Sequence, residues 1–398
     1  MRVSVVEMSR QGGLLHYAVQ LADALAGRGH AVDVVAARNN ELALHRGAAR
    51  MRAILTPPTS GRPRPDGSVR RLRRAFTAIR LLAAYVRLVW HLRTRRYDAV
   101  ILNLDLSVFM GAIITLAMTI APGGPALCFV CHNVRPFNRW GGDDLFVSSP
   151  ALHWVLRQIY QRLDLVLVHG EQSRAEFLKY WPRANLAVIP HGDERILVGD
   201  EPPPPADGER LLFFGDWRKV KGLPVLMQAF DRLVERRPEA RLTVAGSTAP
   251  EDFDPELVSR WAATHSGRVE VIDRYVPVDD VRELFAGARA VVTPYLVGYQ
   301  SGVVHLAMTM GRPVVSSDVG DLSSVVVDGE TGLLVPPGDA SALADALEEV
   351  LSNPSRSDAL GAEARSRMVD ESSWERIAEV VERALQLRGT KAQSSPTE

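Results

Sequence analysis

Along most of this chain, short apolar runs alternate with longer stretches in which apolar side chains return every three or four positions, the two periods of strands and helices. Residues 2–7 predict a first strand. Beyond the polar turn at residues 9–13, Leu14, Ala18, Leu21, Ala22 and Leu25 share one face of a helix that Gly27 and Gly29 end. Residues 30–36, 97–102, 126–131, 163–168 and 186–189 predict further strands. Several are apolar throughout rather than alternating, which predicts a parallel sheet covered on both faces by the intervening helices.

Residues 198–209, VGDEPPPPADGE, interrupt the pattern, and their proline run is read as a linker that packs into neither core. The pattern then restarts. Strands are predicted at residues 211–214, 241–245 and 269–272, and helices at 223–236, 279–286, 303–310 and 341–351. The expected organisation is α/β, with one doubly wound domain over residues 1–197, the linker, a second over 210–373, an amphipathic helix over 374–388 and a disordered tail over 389–398. The length of 398 residues and a hydrophobic fraction of 46% suit two cores.

Forty-seven basic and forty-seven acidic residues give no net charge, which argues against a nucleic-acid partner. The two cysteines, Cys128 and Cys131, lie in an apolar strand-like run without a second pair, so strand packing is expected rather than zinc or a disulfide. The first residues read directly as a strand without a signal-peptide pattern, and a cytoplasmic location is the expectation.

Two stretches carry chemistry. In residues 211–223, LLFFGDWRKVKGL, an apolar strand ends at Gly215 and is followed by Arg218 and Lys221, then by a helix beginning near Gly222. Glycine admits a ligand to the backbone, the helix start offers unpaired N–H groups, and two cations close on oxygens: a diphosphate clamp, or else a solvated basic turn. The second stretch is Gln300, Ser301 and Gly302 leading into a helix, where Gly302, Val303 and Val304 bring further unpaired N–H groups; it is a second phosphate cradle or a simple cap.

Gly215, Arg218, Lys221 and Gly222, the block Gln300-Ser301-Gly302-Val303, and Gly311-Arg312-Pro313-Val314-Val315 beyond it together resemble the retaining glycosyltransferase family 4, the glycosyl transferases group 1 family. The resemblance spans nearly the whole chain. It implies the GT-B fold, two Rossmann-like domains facing a cleft, with the last helix crossing back to the first domain. It implies a hexosyltransferase acting with retention on a nucleoside-diphosphate sugar, without a metal cofactor, and a glycan or lipid-linked acceptor, as in polysaccharide or glycolipid synthesis. Arg218 and Lys221 would hold the diphosphate, Gly12 and Gly13 would touch the donor through their backbone, and His132 of the His-Asn-Val run would sit beside the transferred sugar. His169, Glu171 and Ser173 would line the site, with Gly170 in place of the family's usual serine. The chain departs from the family's E-x7-E pair: no acid lies between Pro294 and Asp318, and Gln300, Leu306 and Ala307 stand nearest. The ribose must then be held differently. A nucleotide-sugar 2-epimerase and a non-catalytic binding subunit are the competing readings.

Two other segments need an explanation. Asp252-Phe253-Asp254 is a D-x-D, which holds metal in other glycosyltransferases, yet its proline-flanked setting suits a helix cap better. Residues 68–96 contain nine arginines and no acid, with Leu72, Phe76, Ile79, Leu82, Ala83, Val86 and Val89 at helical spacing. A basic amphipathic helix of this kind suits a peripheral position on an anionic membrane surface, or packs with a solvated arginine face. Residues 108–120 are too short to span a bilayer and read as a buried helix.

Overall fold

The computed structural model describes residues 1–56, 67–104, 124–136, 146–147, 149–182, 184–199, 203–204, 206, 208–248, 254–265 and 267–393, with residues 112, 115, 116, 118 and 119. The first half contains β1 (Arg2–Val6), α1 (Gly13–Gly27), β2 (Ala31–Ala37), β3 (Arg50–Leu55), α2 (Gly67–Arg95), β4 (Ala99–Leu102), β5 (Ala126–Cys131), α3 (Pro150–Tyr160), β6 (Leu165–Val168), α4 (Glu171–Tyr180) and β7 (Leu186–Val188). These strands form one parallel sheet in the order β3-β2-β1-β4-β5-β6-β7. After α5 (Arg195–Val198), the second half contains β8 (Arg210–Phe214), α6 (Leu223–Arg236), β9 (Arg241–Gly246), α7 (Pro255–Thr264), β10 (Val269–Asp273), α8 (Val278–Ala286), β11 (Ala290–Thr293), α9 (Gly302–Thr309), β12 (Val314–Ser317), α10 (Leu322–Val325) and β13 (Gly332–Val335), then α11 (Ala340–Ser352), α12 (Pro354–Glu371) and α13 (Trp374–Gln393). Its sheet is also parallel, in the order β10-β9-β8-β11-β12-β13.

The order reverses in each sheet between the strand that opens it and a later one, β1 beside β4 and β8 beside β11, and at such switch points the strand ends leave a crevice. Each sheet has a core on both faces. In the first sheet, α2 and α3 cover one side through Tyr85, Leu88, Leu92, Leu156 and Ile159. On the other side α1 packs with Trp374, Ile377, Ala378, Val381 and Leu385 of α13, so the last helix belongs to the first sheet's core.

Three expectations change. Strand β3 was not expected, because Arg50 and Arg52 interrupt its apolar pattern; it is an edge strand, and Arg52 pairs with Asp33 of β2 at 3.1 Å. The linker does pack: Val198 and Ala206 are buried, and Arg312 and Arg289 donate to the carbonyls of Pro204 and Gly208. Prolines lack an N–H, but their carbonyls remain acceptors, and buried guanidiniums use them. The tail is helical through Gln393, since α13 continues past the expected end. Most of the 108–120 segment lies outside the described residues, as do Asp252 and Phe253 of the D-x-D. Asp254 caps α7 by accepting from Glu256 N at 3.0 Å, and Cys128 and Cys131 are buried in β5 with free thiols.

Candidate functional site

A cavity of about 620 Å³ opens between the two sheets at the carboxyl ends of their strands. From the first half it takes the turn after β1, including Ser9, Gln11, Gly12, Gly13 and Leu14. The second half brings Gly215, Arg218 and Lys221 after β8, Gly246 to Thr248 after β9, and Gln300 to Val303 at the start of α9. Of the eleven residues proposed from sequence, nine therefore share this wall: Gly12, Gly13, Gly215, Arg218, Lys221, Gln300, Ser301, Gly302 and Val303. Val304 and His132 do not line it.

Local geometry decides which groups are available. Gly222 adopts φ 65°, and a Cβ there would lie 1.8 Å from the Pro294 carbonyl oxygen. The close approach turns α6 under β11: Leu223 is fully buried and Pro224 has no N–H, so the helix N-terminus expected to face a phosphate does not line the cavity. The two cations remain. Lys221 Nζ stands 3.7 Å from the centre of the Tyr295 ring, a contact that holds the ammonium in place, and Arg218 has a 3.4 Å contact to Asp216. At α9, Ser301 Oγ accepts from Val304 N at 3.5 Å, so Gly302 and Val303 carry the open first-turn N–H groups.

The glycine turn is partly used. Gly12 N donates to Glu41 Oε1 at 2.6 Å, and the same carboxylate accepts from His16 Nε2 at 2.7 Å and, across the cleft, from Tyr275 Oη at 2.6 Å. Burial works to raise the Glu41 pKa, but these hydrogen bonds outweigh it and hold the group below its usual range. Gly13 and Leu14 are left as the backbone donors at that turn.

His132 lies one hydrogen-bonded step behind the wall. Asn103 donates through Nδ2 to Glu7 Oε2 at 2.7 Å and to Leu14 O at 2.8 Å, so its Oδ1 faces His132 Nε2 at 2.7 Å. An acceptor there assigns the proton to Nε2. Burial first, and His191 second, push the His132 pKa down to about 3, while burial lifts Glu7 to about 7. His132 is also one edge of a stack with Tyr17, His169, His191 and His305, whose ring centres are 4.5 to 5.3 Å apart between successive members. Of the expected lining residues, His169 belongs to this stack, Glu171 is exposed, and Ser173 is used structurally: Asp321, from the second half, accepts from Gln172 N and Ser173 N at 3.0 Å each.

Glu7, Glu41, Asn103, Glu194 and Tyr275 were missed in the sequence. Glu7 follows β1, Asn103 follows β4 and Tyr275 lies just beyond β10, so position after a strand would have pointed to all three; Glu41 and Glu194 carry no such signal.

Two parallel doubly wound sheets facing across this cleft, with the final helix returned to the first, define a GT-B glycosyltransferase. Family models agree: residues 208–353 match "Glycosyl transferases group 1" and residues 11–192 match "Glycosyltransferase Family 4". An alpha-maltose-1-phosphate synthase of Mycobacterium tuberculosis is 30% identical over 278 residues, 62% of this chain and 69% of that protein. Among solved structures, sucrose-phosphate synthase from Thermosynechococcus elongatus superposes with a TM-score of 0.73 at 22% identity, covering 99% of this chain and 100% of that one. Anabaena HepE in complex with UDP and glucose gives 0.71 at 17% identity, over 97% and 100%. The chain belongs to glycosyltransferase family 4, and it is a glycosyltransferase.

Proposed function

We propose that this enzyme transfers a sugar from a nucleoside-diphosphate sugar, with retention, to a glycan or lipid-linked acceptor. The observation that carries the donor is the shared cavity wall: Arg218, Lys221 and the open amides of Gly302 and Val303 converge from one side, and the Gly13 turn closes the other. Two cations and a helix start offset the charge that develops on a leaving diphosphate, so no metal is required in this scheme. The complex of HepE with UDP and glucose supports a donor of the same class. Neutral His132, held by Asn103, fixes the Leu14 end of the wall where the transferred sugar would lie.

The test is thermal stabilisation by UDP, GDP and ADP with and without EDTA, followed by transfer from the matching sugar nucleotides and determination of the product's anomeric configuration. Stabilisation by one nucleotide that survives EDTA supports the reading. No stabilisation by any of them sinks it.

A lipid-linked acceptor is favoured by α2. Tyr85, Leu88 and Leu92 bury one face against the sheet, while Phe76, Ile79, Val86 and Trp90, on the opposite face, are each at least 61% exposed. Arg80 and Arg87 flank that stripe. An apolar stripe bordered by arginines, in a segment without acids, matches an anionic bilayer surface, at about 1 kcal/mol per basic residue near the lipid. Among the described residues no helix is long and apolar enough to cross a membrane. Cosedimentation with phosphatidylserine vesicles at low salt, abolished by Phe76→Ser with Trp90→Ser, is expected; an unchanged soluble fraction counts against it.

A further inference from the structure

The cavity contains an acid that the catalytic scheme does not use. Glu194, in the crossing between the halves, is 2% exposed, and its carboxyl group lines the cavity. Among the described residues Oε2 has no hydrogen-bond partner, and Oε1 lies 3.4 Å from where a Cβ on Gly302 would stand. Its backbone N–H donates to Thr309 Oγ1 at 3.2 Å, so the residue runs along α9 from its last residue to its first. Burial, and then the neighbouring Asp193 charge, raise its pKa well above the ordinary carboxyl value, outweighing the Gln20 side chain, which interacts with the carboxyl group. A buried carboxyl oxygen left without a partner is costly to the empty protein, so a polar ligand group is the natural complement.

The position selects the ligand group. The cavity wall includes Arg218, Lys221 and the start of α9, and also Tyr275, Val276, Val278 and Val281, an aromatic and apolar surface suited to a planar base. Glu194 lines the same cavity and leads into α5, which packs against both α8 and α9, and Leu197 and Leu306 belong to the same apolar cluster as Val276 and Val281. In a nucleotide the group between phosphates and base is a ribose, whose vicinal hydroxyls donate to one carboxyl group in a bidentate pair. We propose that Glu194 holds the donor's ribose 2′- and 3′-hydroxyls, reaching from the interdomain crossing to the place that Leu306 leaves apolar on α9. This rests on the donor reading above, and it identifies how the nucleotide is held in a chain without an acid on that helix.

The test compares binding of UDP, 2′-deoxy-UDP, 3′-deoxy-UDP and UDP-glucose, or the same set on whichever base the wild type prefers, to the full chain and to Glu194→Gln, Glu194→Ala and Glu194→Ala with Leu306→Glu. Wild type is expected to bind the ribonucleotide about ten- to a hundredfold more tightly than either deoxy analogue. That preference should vanish in Glu194→Ala, weaken in Glu194→Gln, which keeps the shape, and return at least in part with Leu306→Glu. A preference that persists in Glu194→Ala overturns the assignment while leaving the donor reading intact. A loss confined to UDP-glucose, with UDP unchanged, overturns it in favour of a contact to the transferred sugar. Failure of wild type to bind any of these nucleotides overturns the donor reading, and this assignment with it.

Discussion

Lys221 is the most direct probe of the proposed phosphate grip. It ends a single 3₁₀ turn, Lys219–Lys221, and its ammonium rests 3.7 Å from the centre of the buried Tyr295 ring. That stacking is made in the empty protein, so its loss enters stability. What truncation removes from the transition state is a charge-assisted hydrogen bond to phosphate, about 2 to 3 kcal/mol for a cation already fixed in place. At 1.36 kcal/mol per decade, Lys221→Ala should therefore lower kcat/KM about 30- to 150-fold. Lys221→Met, which keeps the stem over Tyr295 but not the charge, should show nearly the same loss with less change in melting temperature. Initial rates at donor concentrations far below KM measure the effect, and a melt of each variant separates it from unfolding. Rates within threefold of wild type in both variants would refute the clamp and reduce the segment to a basic turn.

Other outcomes follow from named contacts. Asp321→Ala leaves Gln172 N and Ser173 N without their acceptor and should cost about 1 to 3 kcal/mol, read as a fall in melting temperature; adding Gly170→Ser, which lets α4 cap itself, should recover part of it. In the wild type, Gly170→Ser alone should destabilise, because a Cβ at Gly170 would lie 2.1 Å from Asp321 Oδ1. Asp254→Ala removes a helix cap and should cost about 1 kcal/mol of stability without changing transfer. Stability should also fall with pH. His132, His169, His191 and His305 titrate below 6.5 when folded, so below that pH the unfolded chain takes up protons that the folded one refuses, about 1.4 kcal/mol per pH unit for each. Glu7 and Glu194, raised when folded, act oppositely between pH 4.5 and their folded values, because there the folded chain holds the extra protons. The decline should therefore be shallow from pH 6.5 to 4.5 and steeper below, easing as His305 protonates near pH 4 and His132 near pH 3. A melting temperature flat across that range would show that the stack is not buried in solution.

What the sequence made legible divides along a physical line. Elements whose cause is local were readable: apolar strands such as Ala126–Cys131, and helix α6, whose bounds follow from Gly222 and Pro238 on either side. The turns that share the cavity wall were readable as well, because glycine lies within a few residues of cations in one and of a helix start in the other. Groups supplied from a distance were not. Gly170 gives α4 no side-chain cap, and by local rules that helix start is deficient; Asp321, 149 residues beyond Gln172, takes the acceptor's place at the same two amides. The expected side chain at α9 fails in a parallel way. Leu306 leaves the cavity wall apolar, and the carboxyl group that reaches it belongs to Glu194 in the crossing between the halves. The helix cap is filled across the interface between the two sheets, and under the proposed role of Glu194 the ribose contact would be supplied from outside α9 as well, so the arrangement of the halves would be a condition for both. The same dependence makes the Asp321 and Glu194 variants separable. The first should weaken the interface and lower stability whether or not nucleotide is present, whereas the second, which relieves an unpaired buried acid, should leave the empty protein at least as stable and change only what it binds.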